Sequence, residues 1–245
     1  MMNFLRKICR IPLLLLWFAG CALWVHLVNH GANASRRSLE LTRLWAAVTA
    51  WICNLKIRVE GNADFNGGLI AANHQGVFDI LVLAAIFKIR FAPKAEMRKW
   101  PLIGLLVQCN RPVWVDRSTP RKAKITAGAM SSSMQKGETM MVFPEGTTSD
   151  GRDGLLPFKS TAFQAAIDAG GSVLPVIISY APEVLSRVQW VGGQGFLSYV
   201  WGVLGVKEIR ATVHILENVP VAGFSDRKEL TAEVYGIMNE KWRAL

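Results

Sequence analysis

Leu69-Ile70-Ala71-Ala72-Asn73-His74-Gln75-Gly76-Val77-Phe78-Asp79-Ile80-Leu81-Val82-Leu83-Ala84-Ala85-Ile86-Phe87 decides the architecture of this chain. Its opening apolar run is too short for a helix and reads as a buried strand. A polar interruption, Asn-His-Gln-Gly, separates it from a longer apolar stretch that predicts a helix over 80–88. Outward from there the same alternation recurs. Strands are expected over 57–60, 69–72, 89–92, 113–115, 140–143, 173–178 and 209–216. Helices are expected over 80–88, 120–135, 160–169 and 226–242, the last with Ser225 as N-cap and an apolar stripe at Leu230, Val234, Ile237 and Met238. Strand and helix taking turns implies an α/β fold, a mainly parallel sheet flanked by helices. No repeat or linker interrupts 56–245, so one domain is expected there. The stretch 190–205 shows no clean period and is assigned to no element.

The 245 residues are 51% apolar and 19% charged, with 28 Lys and Arg against 18 Asp and Glu, for a net charge of +10. That apolar fraction excludes a disordered or collagen-like chain. Basic charge on so oily a chain points to a membrane surface rather than to nucleic acid. The four Cys, at 9, 21, 53 and 109, make no Cys-x-x-Cys pair and no Cys/His ligand spacing. Neither a disulfide framework nor a metal site is expected. At the N-terminus Arg6, Lys7 and Arg10 precede an apolar run over 11–28 broken only by His26. That run is long enough to reach across a bilayer, where about 20 residues are needed. Leu41, Leu44, Trp45, Val48, Trp51, Ile52 and Leu55 form a second helical stripe. Joined by the polar stretch 29–37, the two read as an N-terminal apolar two-helix membrane-anchoring hairpin over 1–55. Two other readings stay open. The second helix is simply the first core helix of the domain, or the segment is a signal peptide cut at Ala32-Asn33-Ala34. Between residues 88 and 124, ten basic residues stand against two acids, Glu96 and Asp116. That window reads equally as a solvated face or as a surface for anionic headgroups.

Polar residues follow four of the expected strands. His74 and Asp79 come after 69–72, Lys94 after 89–92, Asp116 and Arg117 after 113–115, and Pro144-Glu145-Gly146-Thr147 after 140–143. Ligands of open α/β sheets bind outside the carboxyl ends of the strands, so parallel strands would bring these residues to one rim. With His74 in the loop and Asp79 in the first helical turn, the carboxylate reaches one imidazole nitrogen. It fixes the tautomer and leaves the other nitrogen as a general base. A satisfied structural His and a dipole-favoured helix-start acid are the plainer readings of each residue alone. No Gly-x-Ser-x-Gly occurs, so the chain offers a base without a nucleophile, and a substrate hydroxyl would take that part. Glu145 lies in a turn that Pro144 and Gly146 make rigid. Ser118-Thr119-Pro120 opens a helix just after Arg117, an arrangement that favours phosphate.

In order, five blocks carry a family resemblance: Asn73-His74-(four residues)-Asp79; Lys94-Ala95-Glu96-Met97 with Trp100-Pro101-Leu102-Ile103-Gly104; Val115-Asp116-Arg117; Phe143-Pro144-Glu145-Gly146-Thr147; and Leu174-Pro175-Val176. They resemble the glycerolipid acyltransferases, above all the 1-acylglycerol-3-phosphate (lysophosphatidate) acyltransferase group. The resemblance implies an α/β domain with a membrane-anchoring helix pair. It implies transfer of a fatty acyl group from acyl-CoA or acyl carrier protein to a lysolipid hydroxyl, giving phosphatidate in phospholipid biosynthesis. It makes His74 the base, Asp79 its orienting partner, and Lys94 and Arg117 the groups at the acceptor's phosphate. Glu145, Gly146 and Thr147 would position the acceptor, and no metal or cofactor beyond the acyl donor is implied. The catalytic domain would lie on the cytoplasmic face of a membrane, the inner membrane if bacterial. The pattern departs at Thr148, where the family usually has Arg. The Thr-Thr form resembles the lyso-ornithine lipid acyltransferases, an alternative acceptor class. A non-catalytic peripheral membrane-binding module would explain charge and hairpin but not His74, Asp79 and Glu145 at strand ends. A secreted hydrolase would need maturation near Ala34.

Overall fold

The structure, a computed structural model, describes residues 2–28, 34–100, 103–116, 118–191 and 193–245, without the side chains at 25, 26, 28, 34 and 35. Two long helices come first, α1 (Met2–Val28) and α2 (Ala34–Cys53). Then follow β1 (Leu55–Glu60), β2 (Gly68–Ala72), α3 (Val77–Ile86), β3 (Ile89–Phe91), a 3-10 turn (Ala95–Lys99) and α4 (Ile103–Cys109). The remainder is α5 (Pro120–Gln135), β4 (Thr139–Val142), α6 (Thr161–Ala169), β5 (Ser172–Tyr180), α7 (Pro182–Val188), α8 (Phe196–Val203), β6 (Ile209–Ile215), β7 (Val219–Pro220) and α9 (Arg227–Arg243).

The strands form one sheet in the order β1-β6-β5-β2-β4-β3, with β7 paired to β5. β5, β2, β4 and β3 run parallel. β6 reverses direction against β5 and carries β1 parallel to itself. The expected α/β class, a mainly parallel sheet flanked by helices, is the one found. β2, β3 and β4 are buried along their whole length, as strands covered on both faces must be. Alternation along β2 divides the core. Ile70 and Ala72 pack with Ala46 and Ala50 of α2 and Leu81 of α3. Leu69 and Ala71 pack on the opposite face with Phe163 of α6 and Leu230 and Val234 of α9.

Several local expectations are corrected. Residues 113–115 are not a strand: they run beside the continuation of β3 as an isolated parallel bridge. Val113 and Val115 donate to the carbonyls of Phe91 (3.0 Å) and Pro93 (2.8 Å), and Pro93, lacking an N–H, cannot extend the ladder. The N-cap of α9 is Asp226, whose carboxylate accepts from the N–H groups of Lys228 (2.6 Å) and Glu229 (3.0 Å). Ser225 instead gives both its N–H and its hydroxyl to Glu229. Helix α3 begins at Val77, three residues earlier than its apolar run, because Asp79 caps its N-terminus.

Within α1, Met2–Trp24 is long and apolar enough to cross a membrane and is little buried. Helix α2 is tied to the sheet. Asn110 donates to Thr42 Oγ1 of α2 (3.1 Å) and to the Ile89 carbonyl (2.9 Å), and accepts from the Phe91 N–H (2.7 Å). Helix α2 thus presents Leu44 and Trp51 outward and gives Ala46, Ala50 and Cys53 to the core. Most of the expected turn over 29–37, including Ala32 and Asn33, lies outside the described residues.

Candidate active site

The parallel strands end at one rim, and His74 leaves it from the end of β2. Asn73, just before it, pairs its side-chain amide with both backbone groups of Ile178 on β5 (3.0 and 2.7 Å). That amide continues the β2–β5 pairing past the last strand residue and anchors the loop. Gly76 follows in extended backbone, where a Cβ would stand 2.1 Å from the Val188 carbonyl oxygen. Only glycine fits so close an approach.

Asp79 is fully buried. Its Oδ2 accepts from His74 Nδ1 at 2.8 Å and from the N–H groups of Gln75 (2.6 Å) and Gly76 (2.8 Å). Its Oδ1 accepts from the Tyr180 hydroxyl at 2.6 Å, at the end of β5. Four donors on one carboxylate offset the cost of taking it out of water. Burial, and then the neighbouring Asp79 charge, holds the Tyr180 phenol well above its ordinary pKa, so it serves as a donor.

The Asp79 contact assigns the His74 proton to Nδ1 and leaves the Nε2 lone pair without a protein partner among the described residues. The imidazole face stacks on Phe143, with centroids 3.8 Å apart and planes within 5°. Ring, carboxylate and hydroxyl therefore stand in a fixed line. Such an imidazole can accept a proton at Nε2 and hold it.

Glu145 braces the same loop from β4. Its Oε1 accepts from the His74 N–H (2.9 Å), and its Oε2 accepts from Ser149 Oγ (2.9 Å) and the Leu156 N–H (3.0 Å). The Ser149 N–H returns to the His74 carbonyl at 2.8 Å. Burial pushes the Glu145 carboxyl above its ordinary range, against the pull of those donors. Both of its oxygens are turned to the protein. Gly146 takes a left-handed φ of 75°, and Lys159 Nζ would lie 2.6 Å from a Cβ there. Thr147 is exposed. Thr148, where the family resemblance leads one to expect a cation, gives its hydroxyl to the Trp190 carbonyl and ties this loop to the α7–α8 connection.

Lys94 is exposed where the chain continues past β3, two strands from β2. Arg117 lies outside the described residues, as do Pro101 and Leu102. One member of the basic window is not at the surface. Arg90 is buried in a two-point pair with Glu138 (2.5 and 2.8 Å). Lys122 lies 2.9 Å from Asp116, whose carboxyl is held down at about 2 by the Ser118 N–H and hydroxyl and by Lys122. His74, Asp79, Glu145 and Gly146 are thus brought together. Tyr180, Phe143, Ser149 and Lys159 join them without having been singled out. Of these only Phe143 and Ser149 sat in or beside a recognisable block; Tyr180 is 101 residues from Asp79.

Fold and site define a class: an α/β protein whose strand-end rim holds a histidine–carboxylate pair, with no Ser or Cys side chain of the described residues bonded to the imidazole. The model of the Acyltransferase family matches residues 56–179; the chain belongs to that family and is an acyltransferase. It is 29% identical over 232 residues to a 1-acyl-sn-glycerol-3-phosphate acyltransferase of Neisseria gonorrhoeae, covering 94% of this chain and 89% of that one. It is 31% identical over 218 residues to a lyso-ornithine lipid O-acyltransferase of Pseudomonas aeruginosa, covering 87% and 83%. The crystal structure of the 1-acyl-sn-glycerophosphate (LPA) acyltransferase PlsC of Thermotoga maritima shares the fold, with a TM-score of 0.67 at 23% identity over 98% of this chain and 97% of that one.

Proposed function

We propose that this chain is an O-acyltransferase that moves a fatty acyl group from an acyl thioester, acyl-CoA or acyl carrier protein, to the free hydroxyl of a lysolipid. The foremost acceptor is 1-acylglycerol-3-phosphate, giving phosphatidate in phospholipid biosynthesis. One observation carries the reading: His74 is held through Nδ1 by buried Asp79 at 2.8 Å while Nε2 has no partner among the described residues. His74 Nε2 takes the acceptor hydroxyl's proton as that oxygen attacks the thioester carbonyl. Asp79 steadies the imidazolium, with Tyr180 fixing the carboxylate from behind. The tetrahedral intermediate then expels the thiolate, which takes the proton back from Nε2; the C–O bond has formed and the C–S bond has broken. Lys94 and Arg117 serve the acceptor's phosphate, and Gly146 and Thr147 border the acceptor. Glu145 acts through the His74 backbone as a positioning residue. No cofactor enters these steps.

The likeness to the lyso-ornithine lipid acyltransferases supports a second acceptor, because the cation missing at Thr148 disfavours a phosphate monoester. Residues 1–55 anchor the protein and 56–245 carry the chemistry, on the cytoplasmic face where a soluble thioester donor arrives. Purified enzyme given an acyl thioester and a panel of lysolipids tests the reading. Thiol release is expected to be fastest with lysophosphatidate. Release only with lyso-ornithine lipid would move the assignment to the second acceptor, and no lysolipid-dependent release at all would sink both.

A further inference from the structure

A cavity of about 300 Å³ lies between the first turns of α1, the end of α7 and the loop after α8, with neither His74 nor Asp79 in its lining. Four cations line it: Arg6, Lys7, Arg187 and Lys207. No acid does. The carboxylates nearest in sequence are engaged elsewhere, Glu208 with Arg210 at 2.7 Å and Glu183 with Arg210 at 3.6 Å. Arg187 and Lys207 are exposed, whereas the α1 side is held in place. Arg6 is held by Asn3 Oδ1 (2.8 Å) and the Gly205 carbonyl (3.3 Å). One turn on, buried Arg10 grips the carbonyls of Leu204 (2.9 Å), Val206 and Lys207 (3.3 Å) and fixes the loop that carries Lys207. Lys7 Nζ sits 4.4 Å from the centre of the Trp201 ring, a cation–π contact that aims it. Gly205 leaves room for it, since a Cβ there would meet Lys7 Cε at 2.8 Å.

We infer that this cavity is a binding site for the phosphate of an anionic membrane lipid, separate from the reacting centre. Four positive groups with no ion-pair partner among the described residues call for an anion, and the volume suits a headgroup. The rim points to a bilayer as its source. Leu197 and Trp201, one turn apart on α8, are 82% and 48% exposed, and Phe4 and Ile8 of α1 are 57% and 50% exposed. Aromatic and aliphatic side chains beside Lys and Arg are what a protein presents at the headgroup level. None of the lining residues is a hydrogen-bond partner of His74 or Asp79, so the site can fill while the reaction proceeds.

Full-length protein in an uncharged detergent, titrated calorimetrically with dihexanoyl phosphatidylglycerol, dihexanoyl phosphatidylcholine or inorganic phosphate, tests the inference. The phosphatidylglycerol is expected to bind, more weakly as salt rises, and the phosphatidylcholine, whose own cation would face four others, to bind far less. Arg187→Gln with Lys207→Gln should weaken phosphatidylglycerol binding about tenfold or more, as lost charge-assisted bonds do, while kcat stays at the wild-type value. Leu197→Ser should weaken the lipid but not inorganic phosphate. Equal affinity in the double variant, or equal binding of the two lipids, would overturn the site. Phosphate binding as tightly as the lipid, with Leu197→Ser indifferent, would overturn the lipid as its occupant. None of these outcomes depends on acyl transfer.

Discussion

His74 and His214 each bring Nδ1 to 2.8 Å from a carboxylate oxygen, that of Asp79 in one case and of Glu60 in the other. By that distance alone they are twins. Asp79 is buried and takes three further donors, whereas the Glu60 side chain is 41% exposed. At His214 the close approach misses hydrogen-bond geometry, leaving Nδ1 buried and unsatisfied, and Nε2 is occupied by Ser179 Oγ at 3.1 Å. Direction separates them as well. His214 stands opposite Ile177, level with the end of β2 but two strands away. It alternates with Val213 and Ile215, which face the α2 and α3 layer, so its side chain leaves the other face of the sheet. A carboxylate neighbour does not make a base; a spare nitrogen at the ligand-binding end of the strands does.

The sharpest way to break this contrast is to remove each ring. His74→Ala is expected to lower the acyl-transfer rate by about 10²–10⁴-fold, the usual worth of a positioned general base. His214→Gln is expected to turn over like the wild type. Circular dichroism on both variants checks that the fold survives. Equal losses in two folded proteins would mean that the spare nitrogen does not set His74 apart.

Asp79→Asn follows in size. The amide leaves the His74 ring without a partner that stabilises its charged form, and about a hundredfold loss of kcat is expected. Glu60→Gln, the matching change at the other histidine, should leave kcat alone. Tyr180→Phe is milder. It deletes one donor to a charged group, worth about 1.5–3 kcal/mol. Because Tyr180 acts only through Asp79, a drop at the lower end of that range, about tenfold, is expected in kcat, with little change in KM for the acceptor. A Tyr180→Phe enzyme of full activity would show that Asp79 needs no bracing from β5.

How much of this was legible in the sequence follows from range. The parallel layers and the His74–Asp79 pair could be read because both are local: apolar runs mark the strands, and five positions separate base from acid. Glu145 was found by its rigid turn, but its role as a brace for the His74 backbone needed the β2–β4 register. Tyr180 closes the site from a distant strand and carries no local signal, and the lone cavity cations 6, 7, 187 and 207 meet only through tertiary packing. Residues 113–115 misled because a β-branched and aromatic run reads as a strand wherever it sits, while Pro93 across from it limits the ladder. The stretch 190–205 hid α8 because Gly192, Gly193 and Gly195 break its pattern just before Phe196. Helix α2 illustrates the opposite case. Its apolar stripe was legible, yet the same stripe served two readings, and its Ala46, Ala50 and Cys53 face the core.

The smallest effect concerns His214 and acidity. Burial lowers its pKa below the ordinary 6.5, with Glu60 pulling the other way and Lys241 and Arg58 adding to the fall. Between the folded value and 6.5 the unfolded chain therefore binds a proton that the native chain does not. Stability contributed by this site is complete above 6.5 and is lost as pH falls through that window. Glu145, whose carboxyl is raised from 4.5, acts with the opposite sign: its destabilisation develops as pH rises from 4.5 toward its folded pKa. The difference between wild type and His214→Gln isolates the histidine. Urea midpoints measured from pH 7.5 to 5 should fall less steeply in the variant, with the two curves running parallel above 6.5. If the curves are parallel throughout, His214 accepts its proton as readily folded as unfolded. The two histidines would then differ in their free nitrogen alone and not in the water each has lost.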